Sequence, residues 1–393
     1  MLSLAQAQAT LWQQAVPVAQ IIWLPLQQAL GARAAQAVLA QLAVPPADNS
    51  AMDGYALRLS DATEPLPVSA RIAAGCAPEP LAPGCAARIF TGGEIPPGAD
   101  TVVMQENTEC LPDGRVRITV PPKLGANIRP MGQDISPGQL LVAAGERLGP
   151  VALALLASQG ITQVEVLRPV KVALVATGSE LVAPGQALGA GQIYNSNSQL
   201  LGSALSLLGA QVHHYSVADD AAQTQALLAE LAAGMDVIVS TGGVSAGEED
   251  HVKASLAALG QVSFWKIALK PGKPFMFGQI GATPVLGLPG NPASSFITYC
   301  LLAKPFIQAL QGGPARLPPP RLVPVACSLS AGSREEFVRV EWVEAGVRPL
   351  ANQSSGALRS LSLADGVVRL AANQSLAAGE AVEYWTLDEL LAP

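Results

Sequence analysis

Histidine and paired cysteine are almost missing from this chain. Three histidines, His213, His214 and His251, stand among 393 residues, too few and wrongly spaced for an HExxH zinc site or a three-histidine cage. Five cysteines, Cys76, Cys85, Cys110, Cys300 and Cys327, are scattered with no CxxC pair. That pattern argues against a disulfide framework and a thiolate zinc site, and reads as small buried hydrophobes. Any metal must therefore be held by oxygen. Positive charge is not in excess either: 23 basic against 30 acidic residues give a formal charge of -7, so no sequence-wide field holds nucleic acid. An uninterrupted apolar run of about 20 residues is lacking, because the Ala, Leu and Val behind the mean hydropathy of +0.33 are broken by Gln, Gly and Pro. No membrane span is expected. The opening MLSLAQAQATLWQQ shows no basic leader, compact apolar core or small-residue cleavage site, which makes the cytoplasm the expected compartment.

Half of the residues are hydrophobic, enough for real cores, and the length predicts roughly two to four domains. Residues 1–43 repeat apolar positions at helical spacing (Leu4, Leu11, Trp12, then Leu26, Leu30, Val38, Leu42), with Gly31 as a helix stop. Residues 141–168 look helical again up to Gly160, so the two stretches are expected to pack as one helical linking domain. Between them, 44–140 carries short β-branched runs (ARIF, TVVM, RVRITV) punctuated by PP, PG, GG and DG pairs, a β-rich insert. From 169 to 316, buried strands alternate with amphipathic helices that stop at Gly209, Gly234 and Gly260, before a long helix at about 291–310. This predicts a multidomain α/β chain built on a doubly wound, three-layer α/β/α domain with a parallel or mixed sheet. The stiff run LPPPR (317–321) opens 317–393, read as a small C-terminal β-domain.

In an open α/β sheet, ligands bind beyond the carboxyl ends of the strands. Five unusual loops fall there: TGSE (177–180), ADD (218–220), TGGVSAGEED (241–250), KPGKP (270–274) and LPGNP (288–292). Gly242 and Gly243 let backbone approach a ligand closely, and loop amides beside a helix start suit an oxyanion. Glu180, Asp219 and Asp250 come from three strand ends, which suits oxygen ligation of a magnesium-like ion beside a phosphate. Glu180 and Asp219 fit helix N-capping equally well, whereas Asp250 follows a glycine-rich loop and reads as functional. Lys266, Lys270 and Lys273 concentrate three of the 23 basic residues around one PG turn, a natural partner for a tetrahedral oxyanion. Asn291 reads as a helix cap; Ser294 fits either a structural or a binding role. Composition and spacing alone point to an oxyanion or nucleotide-phosphate enzyme using magnesium.

TGSE, TGGVSAGEED, KPGKP and GLPGNPASS, together with DNSAMDGYA at 48–56, resemble the signature stretches of the MoeA family, which includes the E-domain of gephyrin. The resemblance covers nearly the whole chain and matches the domain order, ending in a β-barrel-like C-terminal domain. TGGVS alone is shared with the adenylyltransferase that makes the family's substrate and with competence-damage-type proteins. That adenylyltransferase needs only the α/β domain, and a non-catalytic scaffold is the third alternative; retained Asp53, Asp250 and Lys270 argue for an enzyme.

The resemblance implies a molybdenumtransferase that inserts molybdate into adenylated molybdopterin and releases AMP, with Mg2+ as cofactor. It implies catalytic roles for Asp53, Asp250, Lys266 and Lys270. It implies substrate contacts at Thr91, Arg129, Asp134, Glu180, Asp219, Gly242, Gly243 and Ser245, and molybdate contacts at Lys270, Lys273, Ser294, Arg339 and Ser355. The metal ligands implied are Glu180, Asp219 and Asp250. It also implies a homodimer whose insert domain completes the partner's site, with the adenylyltransferase and molybdoenzyme maturation proteins as further partners. The chain departs from the family pattern at Ala218, where a basic residue is usual, at the less basic RPMGQD (129–134, with Gln133), and at QSSG (353–356) in place of QGSG.

Overall fold

The computed structural model describes residues 1–244 and 250–393. The first helix, Leu4–Gln13, is set by a capping box in which the Ser3 hydroxyl accepts from the Gln6 amide while the Gln6 side chain accepts from the Ser3 amide. Its apolar residues at i, i+3 and i+7, Leu4, Ala7 and Leu11, are buried in the core of the α/β domain, so this helix belongs structurally with that domain and not with the linking region assigned from sequence.

The rest of residues 1–43 corrects the helical reading. Ile21–Pro25 is a strand paired antiparallel with Gln163–Leu167, Leu26–Gln28 is a single 3-10 turn, and Val38–Leu39 pairs with Leu140–Val142. The Leu26/Leu30 spacing imitated a helix face, yet Leu30 is 64% exposed. Pairing of the β-branched run IIWLP, bounded by a proline, outweighed that local periodicity. Pro150–Ser158 is the helix of this linking region, packed by Ala152 and Leu156 on Ala29, Ala34, Val142 and Val166.

The insert is a six-stranded sheet in the order Thr101–Met104, Gly54–Leu57, Ala86–Ile89, Leu66–Ile72, Arg115–Ile118, Thr108–Cys110. Apolar clusters cover both its faces. The DGYA motif needs its glycine: a Cβ on Gly54 would sit 1.9 Å from the Val103 carbonyl oxygen.

The α/β domain carries a sheet in the order Gln211–Val217, Lys171–Thr177, Val237–Thr241, Thr283–Leu288, Met276–Ile280, Gln261–Trp265. The first four strands are parallel and the last two join antiparallel to their neighbours. Both faces are buried, Val172, Leu174 and Val239 toward Ser196–Leu207 and the helices after Asn291, Val175 and Ile238 toward Ala221–Ala232 and His251–Leu259. The expected helix at about 291–310 is continuous but changes pitch: Pro292–Thr298 and Lys304–Leu310 flank a π turn at Tyr299–Ala303. Pro305 has no amide hydrogen and its ring would strike the carbonyl four residues back, so the wider turn accommodates it.

The C-terminal sheet runs Leu269–Lys270, Glu335–Val343, Gly366–Leu370, Ala381–Thr386, Arg321–Pro324, with Gly346–Pro349 added to the second strand. Its edge is therefore borrowed from the KPGKP segment. Phe337, Val367, Trp385 and Leu390 enter the α/β core, the Trp385 indole donates to the Pro318 carbonyl at 2.8 Å, and the buried Lys304 ammonium donates to the Leu390 carbonyl at 2.7 Å. Among the described residues no helix is long and apolar enough to cross a membrane.

Candidate active site

All five loops open into one cleft of about 1030 Å³ at the carboxyl end of the parallel strands. The chemistry-bearing residues reach it from strand ends, because the fold places every connection after a parallel strand on the same edge. Glu180, Asp219, Asp250, Lys270, Lys273, Ser294 and Ser355 all line it, with Gly242 and Gly243 at its floor.

The glycine pair is a packing requirement. Gly242 and Gly243 have φ of 107° and 67°, and a Cβ would meet the Thr177 hydroxyl oxygen at 2.8 Å or Val252 at 2.5 Å. The amide of Gly242 donates to the Leu288 carbonyl at 3.1 Å, so this residue gives the cradle its shape and not a donor. The loop is tied from outside by the Trp265 indole, which donates to the Val244 carbonyl at 2.7 Å. The ammonium groups of Lys253 and Lys266 lie 3.5 and 3.7 Å from the Trp265 ring centre. Lys266, with φ of 67°, thus braces the cradle and is not among the residues lining the cleft. Ser245 lies outside the described residues.

The acidic residues divide differently from the sequence reading. Asp220 caps the helix Ala221–Ala232 by accepting from the Gln223 amide at 2.8 Å, which frees Asp219 from that duty. Asp219 instead accepts from the Ser179 amide at 2.8 Å while the Ser179 hydroxyl accepts from its own amide at 3.0 Å, locking the TGSE loop to the neighbouring strand end. The Glu180 carboxylate is folded over Gly178, within 2.4 Å of where a Cβ would stand. Asp250 heads the helix His251–Leu259 without a side-chain capping bond. Among the described residues no three acidic, histidine or cysteine side chains converge to hold a metal. The expected ligands Glu180, Asp219 and Asp250 all line the cleft without converging on one point.

At the other end of the cleft, the Lys270 ammonium lies 3.0 Å from a Glu336 carboxylate oxygen, the other oxygen of which accepts from the Gly332 amide at 3.0 Å. Lys270 is half exposed in this pair, so it keeps an outward donor. Lys273 is exposed and Arg334 also lines the cleft, donating to the Leu269 carbonyl at 3.0 Å. Arg339 does not reach the cleft wall. It is 2% exposed and lies behind the QSSG loop, donating to the Ser354 carbonyl at 3.0 Å and to the Gln353 side chain at 3.4 Å. Its second terminal nitrogen is buried without a partner. Asn291 does not cap its helix; its amide donates to the Ser355 hydroxyl at 3.1 Å, joining LPGNP to the C-terminal domain.

Sequence reasoning missed Asn197. Its amide nitrogen donates to the Gly290 carbonyl at 2.6 Å and contacts the Thr241 hydroxyl at 2.9 Å, while its oxygen is buried without a partner. The signal was present in NSNS (195–198), where Asn195 caps the helix by accepting from the Ser198 amide at 3.0 Å. Arg334 and Trp265 carried no comparable signal, because only the folded chain brings them beside the loops.

Asp53, Thr91, Arg129 and Asp134 all lie on the insert, and none of them lines the cleft. One Asp53 oxygen accepts from both the amide and the hydroxyl of Thr91 at 2.8 Å. The Thr91 amide, then its hydroxyl, hold the Asp53 carboxyl below its ordinary pKa, and Arg88 adds to the effect. Arg129 pairs across strands with Asn49, and the Asp134 amide donates to the Val44 carbonyl at 3.0 Å.

Comparison with known proteins gives consistent matches along the chain. Residues 2–160 match the MoeA N-terminal region (domain I and II), 173–309 a probable molybdopterin binding domain, and 323–387 the MoeA C-terminal region (domain IV). The chain is 39% identical over 330 residues to the molybdopterin molybdenumtransferase of Haemophilus influenzae, covering 83% of this chain and 82% of that protein. It is 35% identical over 385 residues to molybdopterin molybdenumtransferase 2 of Mycobacterium tuberculosis, covering 93% and 95%. The crystal structure of a molybdopterin biosynthesis MoeA protein from Pyrococcus horikosii superposes with a TM-score of 0.84 at 33% identity, covering 98% of this chain and 99% of that one.

Proposed function

We propose, from the premise that this chain belongs to the MoeA family and is a molybdopterin molybdenumtransferase of molybdenum cofactor biosynthesis, that its substrates are adenylated molybdopterin and molybdate and that it releases AMP. One observation carries the reading: a single cleft joins a glycine cradle flanked by carboxylates to a cationic end built jointly by KPGKP and the C-terminal domain. The cradle suits the phosphate linkage, and Lys270, Lys273, Ser294 and Ser355 suit a tetrahedral dianion. Arg339 acts on that end through the QSSG loop that it anchors, and Lys266 acts through Trp265.

A magnesium ion fits if it arrives with the substrate phosphates, because Mg2+ is commonly held by one or two carboxylates plus phosphate oxygens and keeps several waters. Asp250 and Glu180 are carboxylates that line the cleft beside the cradle; bound there, the ion would neutralise charge on the phosphate linkage. Asp219 positions the TGSE loop beside it.

A second copy of the chain belongs to the proposal. The insert group around Asp53 is built but does not face its own cleft. The linking region exposes Ile21, Trp23, Leu39, Leu42 and Val151, each at least 46% accessible, apolar side chains of the kind that subunits cover. The adenylyltransferase upstream and molybdoenzyme maturation proteins downstream are further partners compatible with this reading. The direct test is incubation with adenylated molybdopterin, molybdate and magnesium while AMP is measured. AMP release dependent on molybdate is expected, and its absence from correctly folded dimer would overturn the substrate assignment.

A further inference from the structure

Away from the cleft, two arginines are opposed with no carboxylate of the described residues in ion-pair contact with either. Arg33 and Arg147 are opposed across an isolated antiparallel bridge in the linking region. The Arg33 guanidinium lies over Gly313, where a Cβ would stand 2.6 Å from its central carbon, and Arg147 covers Gly31 at 3.0 Å. Both guanidinium groups thus lie close against backbone at a glycine. Arg33 donates to the Gly145 carbonyl at 3.0 Å. The Nε of Arg147 is buried with no partner. No carboxylate of the described residues stands within ion-pair distance of either. Arginine does not shed its proton in a protein, so two half-buried guanidinium groups side by side keep their full repulsion unless an anion joins them. Burial and that mutual repulsion both act against the charged form of Arg33.

The pair opens on a recess of about 30 Å³, bounded also by Arg168, Gln308, Gln311 and the last residue, Pro393, whose carboxylate makes no ion pair with either arginine among the described residues. Arg168 is already matched, in a two-pronged pair with Asp236 at 2.7 and 2.9 Å, so the excess charge belongs to Arg33 and Arg147. The space admits one compact group, and guanidinium forks match the oxygens of a carboxylate or phosphate.

We propose that Arg33 and Arg147 form a second anion site, separate from the active cleft, that takes a single oxyanion group and pins the linking region to the α/β domain. The recess walls come from both sides of that joint, so the bound anion sets how firmly the insert domain is carried.

The test follows the thermal midpoint of the full chain as sodium phosphate is added. Ionic strength is held constant with the sodium salt of HEPES, whose anion is too large for the recess. The wild type should gain about 2 to 4 °C at saturation. Arg33→Gln and Arg147→Gln should lose this gain, and without phosphate should unfold at or above the wild-type midpoint because the repulsion is relieved. A Lys270→Ala, Lys273→Ala double variant, which weakens oxyanion binding in the cleft, should keep the gain. The proposal fails if the wild type does not respond, if the gain survives in both arginine variants, or if both unfold earlier than wild type without phosphate. It fails equally if phosphate has no effect and the arginine variants instead lose a dependence on protein concentration, since a second copy would then supply the counter-charge. Two separate arginine variants keep the test decisive if one does not fold.

Discussion

Asp53 shows how a single contact sets a residue's chemistry. Its carboxyl is held low first by the Thr91 amide and then by the Thr91 hydroxyl, both donating to the same oxygen. Thr91→Val removes only the hydroxyl, so the Asp53 pKa should rise part of the way toward its ordinary value while Thr91→Ser keeps it low. Carboxyl-carbon titration by NMR reads this directly, and the acid limb of AMP release should move up in pH with it; an unmoved pKa would remove Thr91 from that role. Arg339 offers the complementary case. Its guanidinium holds the Gln353–Ser354 stretch from behind, and one charge-assisted bond contributes about 1.5 to 3 kcal/mol. Arg339→Ala should therefore raise the molybdate concentration for half-maximal turnover roughly tenfold. Arg339→Lys should not rescue it, because one ammonium cannot replace the planar fork. Unchanged molybdate dependence with weakened pterin binding would make the C-terminal domain a pterin-side wall.

Among elements, the start of the parallel sheet depends on one clamp. Asp236 accepts two bonds from Arg168 and one from the Lys171 amide at 2.7 Å, while its own amide donates to the Lys171 carbonyl. This joins Lys171–Thr177 to Val237–Thr241 at their amino ends, opposite the cleft. Desolvation raises the Asp236 pKa, but the Arg168 hydrogen bonds, the Lys171 amide and the nearby charges outweigh it, and the net pKa lies below the ordinary value. A carboxylate depressed in the folded state stabilises the fold above its unfolded pKa of about 3.9 and loses that contribution as the pH falls through the folded value. Asp236→Asn should cost about 2 to 3 kcal/mol at pH 7 by denaturant unfolding, and the difference from wild type should shrink once the pH falls below the folded pKa. An equal difference at low and neutral pH would mean that packing, and not the ion pair, is responsible.

At the scale of the whole molecule, the proposed composite site predicts complementation. Asp53→Asn and Lys270→Ala should each be nearly inactive. If subunits are mixed at random, half of the dimers pair one variant with the other, and each such dimer holds one intact site out of two. Refolding the two variants together should therefore restore about a quarter of wild-type activity. No recovery from a verified mixture of heterodimers would place both groups within one chain's site.

The sequence by itself determined most of the α/β domain and nearly all of its cleft. Buried strand runs, glycine stops and loops after each strand are local features, and the right-handed parallel topology brings such loops to one edge without further information. Tertiary structure alone decided the rest. IIWLP became a strand because Gln163–Leu167 was there to pair with it, and Leu4–Gln13 joined the α/β core because its apolar stripe found that surface. Asp219 braces a loop because Asp220 took the cap, Arg339 sits behind its loop because its strand is central in the C-terminal sheet, and Arg33 meets Arg147 across a bridge that spans 114 positions. Local propensity fixes what a segment can form, but partners distant in sequence fix which face is buried and which hydrogen bond each polar group makes.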